Sequence, residues 1–250
     1  MKQSKAAKNI SESGLVSSSQ SGVHPRLEAC VLRHLQANWA QPFHRPTLET
    51  YLQLEQLGVF TPGRPVVLDS GCGTGDSTCR LASLFPSHLV IGVDRSLKRL
   101  AKSGVTSGIL RAGNFVLARA ELATFWRLLL NSGISPERHF LFYPNPWPKP
   151  GHLTRRWHGH PVFPQLLALG GEIEMRCNWE IYAQEFAQAA GFATAADIKA
   201  MKINPDEGIS PFETKYLERG QSLFSVTVPA RHTDAFRGSW AGTPTTVLPA

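Results

Sequence analysis

Residues 66–76 read Val-Val-Leu-Asp-Ser-Gly-Cys-Gly-Thr-Gly-Asp. A short apolar run ends at Asp69, three glycines alternate at 71, 73 and 75, and a helix is predicted from about Asp76 to Phe85, before Pro86. Glycines at that spacing let the chain turn sharply and let a ligand come close to the backbone. Outward from this loop the same alternation continues. Strands are predicted over Leu89–Asp94, Phe115–Ala120, Phe140–Tyr143 and Glu172–Cys177, with two more near Asp197–Ile203 and Ser222–Val228. Helices are predicted between them over Ser96–Lys102, Glu121–Asn131 and Asn178–Ala190. Strands alternating with helices give an α/β fold, here a mostly parallel seven-stranded sheet with helices on both faces. Such sheets take ligands beyond the carboxyl ends of their strands, where the strand order reverses.

The loop is Gly-x-Gly-x-Gly, and Asp76 departs from the Gly-x-Gly-x-x-Gly dinucleotide fingerprint. An acid at a helix start repels the phosphate that a helix end attracts. A ligand with a small carboxylate and a cationic centre fits better. Asp94 closes the second strand, where a carboxylate can accept hydrogen bonds from both ribose hydroxyls.

The flanks differ in kind. Residues 1–24 are Ser-rich and expected to be a disordered tail; residues 25–60 are expected to be a helical extension broken near Pro42 and Pro46. The main domain is expected over 61–229, with a flexible Thr-, Pro- and Ala-rich tail over 230–250. The longest apolar runs, Leu128–Leu130 and Leu89–Val93, are far too short to span a membrane. No signal-peptide core is evident, and four cysteines without metal-ligand spacing read as reduced thiols. The expectation is a cytoplasmic protein, monomer or homodimer, with no membrane and no metal. The net charge of +7 points to a polyanionic partner. The charge is unevenly spread: no Asp or Glu falls between Asp94 and Glu121, or between Glu137 and Glu172.

Together these features resemble the Rossmann-like class I S-adenosylmethionine-dependent methyltransferases. The resemblance implies S-adenosyl-L-methionine as cofactor. Asp69 would lie near its methionine amino group, Gly71, Gly73 and Gly75 would cradle it, Asp94 would hold the ribose, and Arg95 would also bind the cofactor. Ala120 and Glu121 would border the adenine. A narrower resemblance follows the fourth strand. Tyr143-Pro144-Asn145-Pro146-Trp147-Pro148-Lys149, followed by His152, Arg155 and Arg156, resembles the Phe-Pro-Asp-Pro-Trp-x-Lys signature of bacterial tRNA (guanine-N7)-methyltransferases. Cys177-Asn178-Trp179-Glu180-Ile181-Tyr182-Ala183 resembles the family's Thr-Asp-Trp-x-x-Tyr-Ala, and Thr214-Lys215-Tyr216-Leu217-Glu218-Arg219-Gly220 its Thr-Lys-Phe-Glu-x-Arg-Gly. The resemblance implies transfer of a methyl group to guanine N7 in tRNA. Asn145 would be the catalytic residue beside cofactor and base, and Lys149, Arg155, Arg156, Asn178, Thr214 and Arg219 would bind the nucleic acid. Prolines at every second position from 144 to 150 are expected to hold that loop extended. Trp147 offers either a stacking face or packing beneath the loop. Histidines 152, 158 and 160 lack the supporting ligands of a metal site.

Three departures from the family all remove negative charge: Asn145 and Asn178 stand where it has Asp, and Leu217 where it has Glu. Guanine N7 carries a lone pair and no proton, so the chemical step asks for in-line positioning rather than a base. A carboxylate would still stabilise the cation that develops on guanine. Losing one such charge-assisted contact costs about 1.5–3 kcal/mol, about ten- to a hundredfold in rate. The departures leave two alternatives: a methyltransferase acting on another base or a small molecule, and a non-catalytic cofactor- or RNA-binding module. Asn145 before proline is also similar to the Asn-Pro-Pro-Tyr/Phe loop of amino-methylating nucleic-acid enzymes, a pattern that Trp147 breaks.

Overall fold

A computed structural model describes residues 15–37, 39 and 41–240. Two helices, α1 (Leu27–Gln36) and α2 (Arg45–Gln56), precede a βα series: β1 (Val66–Ser70), α3 (Asp76–Leu84), β2 (Leu89–Asp94), α4 (Leu97–Leu100), β3 (Ile109–Ala112), β4 (Phe115–Arg119), α5 (Leu122–Asn131) and β5 (Arg138–Phe142). After two short 3-10 turns at Pro150–Arg155 and Trp157–Gly159 come α6 (Phe163–Ala168), β6 (Glu172–Cys177), α7 (Glu180–Thr194), β7 (Ala200–Ile203), α8 (Pro211–Glu218), β8 (Leu223–Val228) and α9 (Ala230–Ser239).

One sheet runs in the order β3-β4-β2-β1-β5-β6-β8-β7. The strands from β4 to β6 are parallel, whereas β3 and β8 pair antiparallel to their neighbours. All residues of β1 and β2 are buried, which is why they read as unbroken apolar runs. The chain order reverses at β1, between β2 and β5, so the loops after β1, β2 and β5 share one edge of the sheet.

The sheet has eight strands rather than the expected seven. The addition, β3, forms a hairpin with β4 through Gly113-Asn114, with Ala112 opposite Phe115. Gly113 takes φ +54, the left-handed conformation a two-residue hairpin loop needs. Only four residues long, β3 is half-buried at Ile109 and Leu110 and exposed at Arg111 and Ala112, too brief for its apolar pattern to register.

Both expected tails are ordered where described. Residues 1–14 and 241–250 lie outside the described residues. Within 15–24, Ser18 donates to the Pro148 carbonyl, and Gln20 Nε2 (2.6 Å) and the His24 amide (2.9 Å) donate to Glu185 Oε1. The 230–239 stretch forms α9, because Thr233 and Asp234 pair the Gly171 backbone while Phe236 joins the core. Composition signalled polarity there and missed these specific partners. Among the described residues no helix is long and apolar enough to cross a membrane.

Candidate active site

The carboxyl ends of β1, β2, β4, β5 and β6 open onto one edge of the sheet. Asp69, near the end of β1, is fully buried. Its Oδ2 accepts from Ser77 Oγ (2.6 Å) and Thr78 Oγ1 (2.7 Å) in the first turn of α3. Its Oδ1 is buried without a donor among the described residues. Burial pushes the carboxyl up to about 6, against the two hydroxyls that pull it down. A buried carboxylate with one bare oxygen is suited to a cationic ligand.

The amides of Gly71 (2.7 Å) and Cys72 (3.1 Å) donate to the Val93 carbonyl, folding the loop over β2. The Gly73 amide donates to Asp94 Oδ2 at 3.0 Å. The other oxygen of Asp94 accepts from the Ser96 amide (2.7 Å) and Arg99 Nη2 (2.9 Å). Carboxylate oxygens have lone pairs to spare, so a ribose hydroxyl can still be accepted. Gly71 and Gly73 have φ of +86° and +62°, and a Cβ on either would meet open space. These two glycines line a cradle. Gly75 serves packing instead, since a Cβ there would come within 2.7 Å of Leu117 Cδ1. Arg95 is exposed beside the cradle.

The expected adenine border differs from the sequence reading at Glu121. Its carboxylate caps α5, accepting from the amides of Ala123 (2.9 Å) and Thr124 (2.7 Å), so it is turned into its own helix. Ala120 is buried, its amide donating to the Asp94 carbonyl at 3.1 Å.

The loop after β5 is not uniformly extended. Tyr143 and Trp147 take φ of +53° and +45°, unusual for any side-chain-bearing residue and doubly so before proline. Each such residue costs about 1–3 kcal/mol, so its surroundings must hold it. At the first end, the Tyr143 amide donates to the Arg176 carbonyl (2.7 Å) and its hydroxyl to Glu213 Oε1 (2.7 Å). Glu213, fully buried, also accepts from Arg176 Nη1 (3.2 Å) and the Ile209 amide (2.6 Å). At the second end, Arg156 donates to the Trp147 carbonyl through Nε (3.2 Å) and Nη2 (3.1 Å). Between the two anchors Asn145 is exposed, its Oδ1 accepting from the Trp147 amide at 3.3 Å.

Arg156 is therefore no phosphate ligand. It is completely buried and paired with Glu185, equally buried, while its guanidinium lies 4.9 Å from the centre of the Trp179 ring. His158 Nε2 reaches the same Glu185 oxygen at 2.8 Å. Burial alone would raise the Glu185 carboxyl; the hydrogen bond and charge of His158, followed by the charge and hydrogen bond of Arg156, hold it at about 2. Burial lowers the His158 pKa against the Glu185 hydrogen bond and charge that raise it, and Nδ1 is buried without a partner among the described residues.

The remaining expected nucleic-acid contacts lie on the surface or near it. Lys149 and Arg155 are exposed, and the Arg155 guanidinium lies 4.9 Å from the centre of the Trp147 ring, with His152 edge-on at 5.5 Å. Trp147 thus stacks with its own chain. Asn178 Nδ2 donates to Gln221 Oε1 at 2.9 Å, and Thr214 and Arg219 are exposed on and just after α8.

Residues 63–226 match a family model described as "Putative methyltransferase". The tRNA (guanine-N(7)-)-methyltransferase of Shewanella amazonensis is 30% identical over 177 residues, covering 66% of this chain and 71% of that one. The chain belongs to the tRNA (guanine-N7)-methyltransferase family. The corresponding enzyme of Verminephrobacter eiseniae is 27% identical over 186 residues, covering 69% of this chain and 65% of that one, so the chain spans about two-thirds of its length. A solved point mutant of the 16S rRNA (adenine(1408)-N(1))-methyltransferase from Catenulisporales acidiphilia shares the fold, with TM-score 0.50 and 20% identity over 70% of this chain and 92% of that one.

Within this family framework, two anchors escaped the sequence reading. Glu213 lies three residues after Ser210, whose Oγ accepts its amide at 3.2 Å, so locally it reads as part of a helix cap. Glu185 gave a usable signal: on α7 it falls on the face of Tyr182, Phe186 and Ala189, all buried, where an acid demands a partner.

Proposed function

We propose that this chain transfers the methyl group of S-adenosylmethionine to N7 of a guanine in tRNA. The observation that carries the reading is the cradle of Gly71, Gly73 and Asp94, with the bare Asp69 oxygen, on the same sheet edge as the doubly anchored Asn145 loop. The relatives named above act on guanine N7 in tRNA, and the motif order agrees with theirs. S-adenosylmethionine, when bound, supplies a methyl group activated by a sulfonium centre. Asp69 binds its ammonium group, and Asp94 orients its ribose. Guanine N7 has no proton to lose, so this chain needs no general base. Asn145 orients the base through its amide carbonyl, and the fixed loop holds it in line. Lys149 and Arg155 meet phosphates of the RNA. The reading implies the cytoplasm, where the four unpaired cysteines stay reduced.

The test is incorporation of labelled methyl from S-adenosylmethionine into tRNA from cells lacking guanine-N7 methylation, beside fully modified tRNA. The reading expects label in the first and little in the second. Equal incorporation into both, or none into either, overturns it.

A further inference from the structure

A cavity of about 270 Å³ lies between α1 and the 3-10 turn Pro150–Arg155. Arg26, Ala29, Cys30 and Arg33 form one of its walls, and Pro150, Gly151 and Thr154 belong to the other. The first four occupy positions i, i+3, i+4 and i+7, with Arg26 at the N-cap and the other three on one stripe of α1. Glu28 is two positions from Arg26, more than half a turn around the helix, and does not line the cavity. Arg26 and Arg33 are exposed, and among the described residues neither has an ion-pairing acid. The opposite wall belongs to the acid-free stretch between Glu137 and Glu172, and Lys149 and Arg155 flank it on either side. The cleft therefore joins two cationic arginines to the strand-end loop that carries Asn145 and Trp147.

We propose that this cleft binds a phosphodiester of the RNA acceptor, with Arg26 and Arg33 as its ligands, beside the site that receives the base. The inference rests on the RNA reading above. It assigns a role to a helix lying wholly before the 63–226 family match. Guanidinium forks suit phosphate oxygens.

The experiment measures equilibrium binding of undermodified tRNA across salt concentration for wild type, Arg26→Gln/Arg33→Gln and the control Arg64→Gln/Arg231→Gln. The control removes the same two charges at the opposite edge of the sheet, before β1 and after β8. S-adenosylmethionine affinity and thermal midpoint are read alongside and are expected to be unchanged in both variants. Removing both ligands of that one phosphate should weaken tRNA binding about tenfold at 0.15 M salt and flatten the log–log salt slope by about 0.7–0.9. The control should change affinity by no more than about twofold and leave the slope at its wild-type value. Equal effects in the two double variants, or no effect in the cleft variant while wild type binds, overturn the cleft and leave the RNA reading standing. Failure of wild type to bind tRNA at any salt overturns both.

Discussion

Glu185→Gln is expected to destabilise this protein by about 3 kcal/mol. The change keeps the side chain's size and one acceptor oxygen, removes the charge, and puts an NH2 donor where an oxygen had accepted from Gln20 and His24 or from Arg156 and His158. Arg156 is then a fully buried guanidinium without a counter-charge, and breaking such a pair costs about 3–5 kcal/mol. The carboxyl itself gives a concordant figure. Held at about 2 against an ordinary 4.5, it contributes about 3 kcal/mol of folding stability. Because the folded-state pKa is depressed, that contribution is complete above about pH 4.5 and disappears as pH falls through about 2. For a chain of this size, 3 kcal/mol corresponds to a drop of about 6–12 °C in thermal midpoint. Urea unfolding at pH 7 measures the loss directly, and at pH 2 the difference between wild type and variant should shrink. The double variant Arg156→Met/Glu185→Leu should be less unstable than the sum of its single changes, since neither charge is left alone. A loss below about 1 kcal/mol at pH 7 would refute the reasoning, because Arg156 would then not depend on Glu185.

Three further outcomes follow from the site. Because burial raises the Asp69 carboxyl to about 6, protonation below that pH should weaken S-adenosylmethionine binding, with affinity rising through pH 6 by calorimetry and flat affinity contradicting the assignment. Tyr143→Phe removes only the hydroxyl that reaches Glu213 and should lower kcat about tenfold or more while leaving cofactor affinity near wild type, checked by single-turnover kinetics and calorimetry. Gly73→Ala puts a methyl into the cradle at φ +62°, so cofactor affinity should fall at least about tenfold with a stability loss of only about 1–2 kcal/mol, read by calorimetry and thermal melts.

The sheet centre was legible because β1 and β2 are buried on both faces and need continuous apolar sequence. The cradle was legible because its glycines and Asp94 act through backbone turns and strand ends, which sequence order fixes. The acceptor loop was legible in composition but not in shape. Alternating prolines predict extension, yet Tyr143 and Trp147 bend it, held by Arg176, Glu213 and Arg156 from distant segments. Arg156 looked like its neighbour Arg155, since no local pattern distinguishes a buried arginine from an exposed one. What separates them is Glu185, on a helix beyond the next strand. The ordered 15–24 segment was missed for the same reason, because its partners Pro148 and Glu185 are remote in sequence.

The central claim is the identity of the methylated atom. Undermodified tRNA, incubated with the protein and S-adenosylmethionine, would be digested to nucleosides and resolved by mass spectrometry, with Asn145→Asp run in parallel. The account predicts N7-methylguanosine from wild type, formed about ten- to a hundredfold faster by the variant that restores the carboxylate. Methyl label in any other nucleoside, or no N7-methylguanosine from either protein, would contradict it.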